Sequence, residues 1–408
     1  MAAELLARTI NRDHTDGAPP ALACTCGQPA RYAGRRKKRF VSVLGELELE
    51  RAYYHCTACQ QGFFPRDRSL GLGDGSLSPG VLRMVGAAAG SVSFEEAHQL
   101  LDELAGVELD AKQIERYAEA LGEEIARDEH ALVDSPKDKA LPATLYLTLD
   151  GTGVPMRKSE LLGRAGKQED GSSKTRECKL CAVFSAQSKD SHGVPVRDEG
   201  SVSYSAAIES AASKDDAADL SPFALRVRRE GRRRGFEQAQ RQVLLGDGAA
   251  WIWKIADEMY PKAIQIVDRF HAKQHASEVA KAIFGVKDAR ALPWAKERHQ
   301  ELDDGRIEAL LGALEPFTAA FDAARQAHEY FAKNRQRMRY REFREQGLCT
   351  SSGVIEAGCK RLVGDRLKRC GMHWTVRGAN AIAALRACRL SGRFADFWDR
   401  RAAALSAA

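Results

Sequence analysis

A short apolar run that ends in an acid constrains this chain more than any other feature. Residues 144–149 read TLYLTL, a mixture of leucine, aromatic and β-branched residues that favours a buried strand. Asp150 follows directly, and Gly151 lets the main chain turn away without a side chain in the path. A carboxylate at the end of a central strand is held rigidly, as a catalytic metal ligand must be. We therefore expect the fold to be organised around this strand.

Two further acids have a similar setting. Residues 243–246 form a second predicted strand, which ends in Asp247 and a glycine, and Glu356 opens a predicted helix. We interpret Asp150, Asp247 and Glu356 as one metal-binding trio. Three carboxylates can hold two divalent cations about 4 Å apart for phosphoryl transfer, and oxygen ligands favour Mg²⁺ or Mn²⁺. The alternative is that each Asp-Gly pair is only a turn.

A fourth acid, Asp268, follows the predicted strand 263–267 and competes with Asp247 for the role of second ligand. Asp268 and His271 lie about one helical turn apart on one face of the next predicted helix. We interpret this pair as accessory groups that contact DNA or the leaving group. The alternative is that Asp268 only caps the helix.

Two close cysteine pairs near the N-terminus predict a zinc-ribbon-like module. Cys24 and Cys26 are separated from Cys56 and Cys59 by a basic run and a strand-like stretch. Each pair fits a tight turn, and four thiolates complete a tetrahedron around structural Zn²⁺. Free thiols are the alternative, and the first pair has one intervening residue instead of the commoner two.

Three helices are predicted after this module, at residues 79–89, 93–104 and 110–126. Their caps and the turn before the third helix resemble a helix-turn-helix, in which the third helix reads the major groove of DNA. The predicted DNA contacts are Lys112, Gln113 and Arg116. A helical spacer between two domains is the alternative.

From residue 141 the pattern is that of an α/β domain. Three consecutive predicted strands are followed by alternating helix and strand, which is the order of a ribonuclease-H-like fold. The predicted class is multidomain α+β: a zinc-ribbon-like module (1–77), a helical DNA-binding domain (78–130), the first part of a ribonuclease-H-like catalytic core (141–284), an all-helical insertion (285–347) and the last part of the core (348–408). Residues 130–140 are the predicted linker.

Composition favours a polyanionic partner. The 408 residues carry a formal charge of +6, and the basic residues cluster at 35–39, 226–234 and 335–344. Solvated surface is the alternative for each cluster. No apolar run reaches the roughly 20 residues of a membrane span, and the N-terminus lacks the signal-peptide pattern, so we expect no membrane contact and a cytoplasmic location.

The combined motifs resemble those of bacterial DDE transposases of the ISKra4 group, related to the Mutator-like and ISL3-like transposases. The resemblance rests on DGTGVPM (150–156), LGDGAAWIW (245–253), VDRFH (267–271) and GVIEAGCK (353–360) with the later KR and GMHW, and it covers nearly the whole chain. It implies that Asp150, Asp247 and Glu356 coordinate two Mg²⁺ ions. It further implies cleavage at the ends of an insertion element and joining of the freed 3′-hydroxyl to target DNA.

The basic segment after the last acid predicts further DNA contacts. Lys360, Arg361, Lys368 and Arg369 would bind phosphates, and Trp374 would stack on an unpaired base near the cleaved end. Burial of Trp374 in the core is the alternative.

Three functions remain open at this point. The first is an insertion-sequence transposase, expected to act on double-stranded DNA as a homo-oligomer because two element ends must be held together. The second is a domesticated, non-catalytic DNA-binding protein, which intact acids at all three positions argue against. The third is a ribonuclease-H-like nuclease without strand transfer.

Overall fold

A computed structural model describes residues 2–73, 75–131, 140–166, 168, 171–191, 193–211, 220–351 and 353–407. The chain forms two compact units, one of Met1–Ala126 with Arg393–Ala408 and the other of Arg127–Gly392. Most of the predicted linker, residues 132–139, lies outside the described ranges. None of the helices in those ranges has the length and apolar character needed to cross a membrane.

The first unit contains a four-stranded antiparallel sheet with the strands in sequence order. Its core is formed by alternating residues such as Phe40, Leu47 and Leu49, against which the first helix packs Leu6 and Ile10. The elements are β1 Ala21–Ala23, β2 Pro29–Ser42, β3 Gly45–His55 and β4 Gly62–Phe63, with α1 Ala2–Arg12, α2 Pro65–Ser69, α3 Pro79–Ala89, α4 Phe94–Ala105 and α5 Ala111–Ala131, which continues into the second unit, and a C-terminal helix, Phe394–Ala407.

Local capping explains where the helices of this unit begin. Ser78 accepts a hydrogen bond from the main chain of Val81, and Ser93 forms a capping box with Glu96. The C-terminal helix belongs to this unit, in which Arg401 Nε lies 2.8 Å from Glu124 Oε1. The sequence-based division instead assigned residues 393–408 to the catalytic core, because a helix pattern does not say against which unit the helix packs.

The second unit is mixed α/β and is built on a mixed five-stranded sheet. Its strand order is β11-β10-β5-β6-β9; β5, β10 and β11 run parallel, and β5, β6 and β9 form an antiparallel meander. The strands are β5 Thr144–Pro155, β6 Thr175–Phe184, β9 Ser203–Ala207, β10 Arg241–Gly246 and β11 Ile264–Val267, and a separate hairpin comprises β7 Ser188–Lys189 and β8 Pro195–Val196.

Helices surround this sheet. They are α6 Pro222–Arg233, α7 Ala250–Met259, α8 Arg269–Phe284, α9 Ala291–Asp303, α10 Ile307–Leu314, α11 Asp322–Asn334, α12 Tyr340–Glu345, α13 Gly353–Gly358, α14 Asp365–Leu367 and α15 Val376–Leu390. Residues 285–347 are helical, as predicted, and Phe331, Tyr340 and Phe343 of this segment belong to the same buried cluster as Leu147 and Leu245 of the sheet. The insertion therefore shares the core of the second unit and has contacts with the central strands.

Candidate functional site

Asp150 and Asp247 lie at one level of two neighbouring parallel strands. Thr148 of β5 is paired with Leu245 of β10, and each acid lies two residues beyond its member of that pair. The Asp247 carboxylate accepts a hydrogen bond from the Ala249 main chain at 2.9 Å, so this Asp-Gly pair does form a turn. The turn and the position beside Asp150 are compatible, because only one carboxylate oxygen takes part in this bond.

The strand that carries Asp150 does not end there. It continues to Pro155 because β6 remains paired with it, with Pro155 opposite Thr175. Gly151 is therefore not at a turn, and a Cβ atom at this position would lie 2.3 Å from Oε1 of the Glu177 side chain, which would have to move. The prediction that the strand ends at Asp150 was therefore wrong, because pairing with β6, which begins 25 positions after Asp150, extends the strand.

The Asp150 carboxylate is half-buried and engaged on both oxygens. Its Oδ1 accepts a hydrogen bond from the Gly151 main chain at 2.6 Å, and its Oδ2 lies 3.2 Å from the Cys359 thiol. Burial raises the pKa of Asp150 above its ordinary value, and the negative charges of Asp247 and Glu177 raise it further, against the two hydrogen bonds. A cation at this position would relieve both the burial cost and the repulsion.

Glu356 lies one helical turn before Cys359. It is exposed and belongs to α13, and the helix then widens into π-helical turns over Cys359–Gly364. Residues three apart lie on one side of a helix, so Glu356 is on the side of α13 from which the buried Cys359 reaches Asp150, although Glu356 itself is exposed. Cys359 is a site residue that the sequence analysis missed, because a lone cysteine inside GVIEAGCK has no distinguishing pattern.

The three acids do not form a tight donor cluster. A metal site needs several donor atoms of His, Cys, Asp or Glu close together. Among the described residues, the four N-terminal cysteines are the group of three or more such side chains whose donor atoms lie within 4.8 Å of one another, and the three acids are not. Two metal ions about 4 Å apart do not require all their ligands to meet that limit. Carboxylate oxygens are the kind of donor that Mg²⁺ and Mn²⁺ prefer, so binding of such ions by Asp150, Asp247 and Glu356 stays a prediction.

Asp268 is a helix cap in this structure. It is buried, and its Oδ1 accepts a hydrogen bond from the His271 main chain at 2.6 Å at the start of α8. His271 in turn lies 3.1 Å from His275 between the two Nε2 atoms, and burial and the neighbouring His271 lower the pKa of His275. Asp268 therefore caps α8 as the alternative predicted, and because this bond uses one carboxylate oxygen, the accessory role stays a prediction.

A tyrosine from the helical insertion holds the Asp247 turn. Tyr330 of α11 donates a hydrogen bond of 2.8 Å to the main-chain carbonyl of Asp247. Its ring covers Gly248, where a Cβ atom would lie 2.5 Å from Tyr330 Cε2, and it stacks on His275 with 4.4 Å between centroids. The positive φ of 102° at Gly248 excludes most other residues. Sequence analysis missed this contact, because the two residues are 83 positions apart.

If the chain cleaves DNA as the resemblance implies, we predict that Tyr330→Phe lowers the cleavage rate about fivefold with little change in DNA affinity. The substitution removes one hydrogen bond, worth about 1 kcal/mol, and loosens the turn that positions Asp247. The measurement is single-turnover cleavage of DNA at saturating protein. Tyr340→Phe is the matched control, because the Tyr340 hydroxyl is buried without a hydrogen-bond partner among the described residues. Equal rates for the two variants would contradict a positioning role for Tyr330.

The four cysteines of the first unit are arranged like the ligands of a structural metal. Sγ of Cys24 lies 3.6 Å from Sγ of Cys59, and Sγ of Cys26 lies 3.6 Å from Sγ of Cys56. A tetrahedron with Zn–S bonds of about 2.3 Å has edges of about 3.8 Å. The Cys26 main-chain N–H lowers the pKa of Cys24 to about 6, which favours the thiolate that binds metal. The cluster is therefore compatible with structural zinc.

The predicted DNA contacts of the helical segment differ in their surroundings. Lys112 and Arg116 are exposed, and Lys112 Nζ lies 2.6 Å from Glu115. Gln113 instead forms a capping box with Asp110, through bonds of 2.7 and 3.0 Å. Lys112 and Arg116 thus stay available on the surface, whereas Gln113 has a structural role at the start of α5.

The predicted contacts after the last acid also divide into two kinds. Lys360, Arg361 and Lys368 are exposed, Arg369 is half-buried, and Lys368 bonds to the hydroxyl of Thr152, two residues beyond Asp150. Lys368 therefore brings a positive charge to the strand of the candidate site.

Trp374 is a core residue. Only 5% of its surface is exposed, and its Nε1 donates a hydrogen bond of 2.9 Å to the Leu367 carbonyl. This corrects the prediction that Trp374 stacks on an unpaired base, because stacking requires an accessible ring face.

Some residues of the predicted basic clusters form ion pairs with acidic residues of the protein itself. Arg226 is buried and holds Glu209 through bonds of 2.9 and 2.6 Å, and Lys37 lies 2.7 Å from Glu48 across the sheet of the first unit. Parts of these runs therefore have acidic partners within the same unit, whereas the Lys37 side chain remains 68% exposed.

Comparison with known proteins does not extend this description. Neither the models of known protein families nor the characterised proteins with which the chain was compared gave a match.

Proposed function

We propose that the chain is an insertion-sequence transposase of the DDE type, as its resemblance to the ISKra4 group implies. It would bind the ends of its element, cleave DNA and join the 3′-hydroxyl ends to target DNA. The observation that carries this proposal is that Asp150 and Asp247 occupy matching positions on two neighbouring parallel strands. The helix that contains Glu356 leads into Cys359, whose thiol contacts Asp150.

The sheet order supports a ribonuclease-H-like catalytic core. An antiparallel meander of β5, β6 and β9 is extended on its other edge by the parallel strands β10 and β11. In this arrangement β5 and β10, the first and fourth strands of the sheet in chain order, are neighbours, so acids carried by these two strands come close together. The helical insertion before Glu356 agrees with the domain order that the resemblance implies.

In this proposal the three acids share one task, and the residues that contact them have others. Asp150, Asp247 and Glu356 would hold two Mg²⁺ ions, which supply activation of the attacking oxygen and stabilisation of the leaving oxygen in phosphoryl transfer. Cys359 orients the Asp150 carboxylate, and Tyr330 fixes the Asp247 turn. Lys368, held on Thr152, would neutralise a DNA phosphate near Asp150.

Binding of DNA would draw on both units. In the first unit, the cysteine cluster would bind structural zinc, and α5 would present Lys112 and Arg116 to a groove. In the second unit, Lys360 and Arg361 would bind phosphates. Two element ends must be brought together for transposition, so we expect a homo-oligomer on DNA.

The test is cleavage and joining on DNA that flanks the gene encoding this chain, because the ends of an insertion element lie there. Labelled flanking duplexes and a supercoiled target plasmid are incubated with the protein and Mg²⁺. We expect cleavage at fixed positions and covalent joining of labelled ends to the plasmid.

Other outcomes separate the alternatives. Cleavage without joined product would favour a nuclease without strand transfer. Specific binding of the flanking duplexes without any cleavage would favour a non-catalytic DNA-binding protein. Absence of both binding and cleavage would refute the proposal.

A further inference from the structure

A large open cleft lies at the far end of the hairpin formed by β5 and β6. Its volume is about 810 Å³, within the range of small-molecule sites. The lining is mainly apolar and includes Met156, Leu161 and Leu162. Leu162 is 81% exposed and adds apolar surface to the lining. These features indicate a site for an apolar group from another molecule.

The charged side chains among the described residues that line this cleft are all basic. Lys158, Arg164 and Lys174 line it, and its described lining residues include no carboxylate. Glu160 is nearby, but it accepts a hydrogen bond from the Val376 main chain and pairs with Arg176. An anionic ligand with a flat apolar part therefore matches the cleft better than a neutral or cationic one.

His373 supplies the surface against which such a group can stack. It is exposed and lines the cleft, whereas its neighbour Trp374 is buried. The main chain of Trp374 is tied to β5 by hydrogen bonds with Pro155 at 3.1 Å and Arg157 at 2.9 Å. The imidazole therefore projects from a segment that is fixed to the catalytic strand, and histidine is among the residues that stack on unpaired bases.

The cleft is connected to the candidate catalytic site along one strand. Met156 lies six residues beyond Asp150, directly after the end of β5 at Pro155, a distance of about 20 Å at roughly 3.3 Å per residue. Lys368 lies between them, on Thr152. A DNA strand with its phosphate at Asp150 would pass Lys368 and reach the cleft about six duplex steps away, at 3.4 Å each.

We propose that this cleft receives an unpaired nucleobase of the bound DNA, stacked on His373 and enclosed by Leu161 and Leu162, while Lys158, Arg164 and Lys174 hold the adjoining phosphates. A base inside a duplex cannot enter, so the ligand is single-stranded or has been extruded from its stack. The inference deepens the proposed function and rests on DNA being the substrate.

The test uses binding of single-stranded DNA, which requires neither element ends nor catalysis. Fluorescence anisotropy compares the full chain on a labelled thymidine decamer and on a decamer of the same charge in which the bases are absent. Because stacking of one base contributes about five-fold or more to affinity, we expect tighter binding of the thymidine decamer by at least that factor.

Two variants separate base from phosphate recognition. Leu162→Ala combined with His373→Ala should abolish the preference for the thymidine decamer. The control is Leu292→Ala, which changes a different exposed leucine of the same unit (63% exposed) and should keep the preference. Lys174→Ala should weaken binding of both decamers equally and reduce the salt dependence by about one charge.

Equal affinity of the wild-type chain for the two decamers would overturn the inference, as would a preference that survives the double substitution. Neither result depends on whether the chain cleaves or joins DNA, so failure of the proposed function is recognised separately, in the cleavage and joining assay.

Discussion

Asp150→Asn and Asp247→Asn should each reduce DNA cleavage by about 10³-fold or more, with DNA binding retained. Asparagine keeps the size of aspartate but removes the charge that attracts a divalent cation. The expected loss is comparable with that of a group that stabilises developing charge in the transition state. The measurement is the single-turnover rate with Mg²⁺, with binding measured in Ca²⁺.

Two further aspartates serve as comparisons. Asp322→Asn changes an exposed residue that pairs with Arg325, and surface pairs of this kind contribute little, so wild-type activity is expected. Asp268→Asn should keep the cap of α8, because asparagine caps helices as well as aspartate does. Loss of cleavage in Asp268→Asn, with activity preserved in Asp247→Asn, would show that Asp268 is the second ligand.

The substitution Asp150→Asn should also change the stability of the folded chain. Burial first, and then the charges of Asp247 and Glu177, raise the pKa of Asp150 above its value of 3.8 in the unfolded chain. A raised pKa contributes stability below the unfolded value, and this contribution is lost as pH rises through the folded value. At neutral pH without divalent cations, Asp150→Asn should therefore unfold at a higher temperature than the wild type. Mg²⁺ should stabilise the wild type and not this variant.

Cys56→Ser should prevent the N-terminal sheet from folding and release the zinc that we expect the wild type to contain. Structural zinc contributes about 10–16 kcal/mol in apparent binding free energy at neutral pH, more than a small sheet can replace by packing. Metal analysis should give one zinc per wild-type chain and none in the variant. Hydrogen exchange should become fast across β1–β4, whereas β5 and β10 in the other unit keep their protection.

The control for this experiment is Cys370→Ser, which replaces an exposed cysteine outside the cluster. It should retain zinc and exchange like the wild type. The structural role of the cluster would be refuted by a wild-type chain that lacks zinc after purification in zinc-containing medium. Slow exchange of β1–β4 in Cys56→Ser would refute it as well.

Much of the secondary structure follows from local patterns. The helix predicted at 79–89 has the observed bounds Pro79–Ala89, because Ser78 and Pro79 determine its start through neighbouring residues alone. The zinc-ligand spacing is also local within each pair, and all four predicted cysteines come together. These are cases in which residues close along the chain carry the information.

Contacts between distant residues were not predictable in this way. Cys359 reaches Asp150 across 209 positions, and Tyr330 reaches the Asp247 carbonyl across 83. The burial of Trp374 follows from its packing near β5 and not from its immediate neighbours. In each case the sequence contained the residue but no local signal of its partner.

By itself, the sequence determined that Asp150 and Asp247 lie within or directly after strands and that the cysteine pairs lie at turns, because periodicity and ligand spacing act over a few residues. The tertiary structure alone decided that β5 extends beyond Asp150, that Asp268 caps α8, and that His373 rather than Trp374 faces the cleft. These outcomes depend on strand pairing and side-chain burial between segments that only folding brings together.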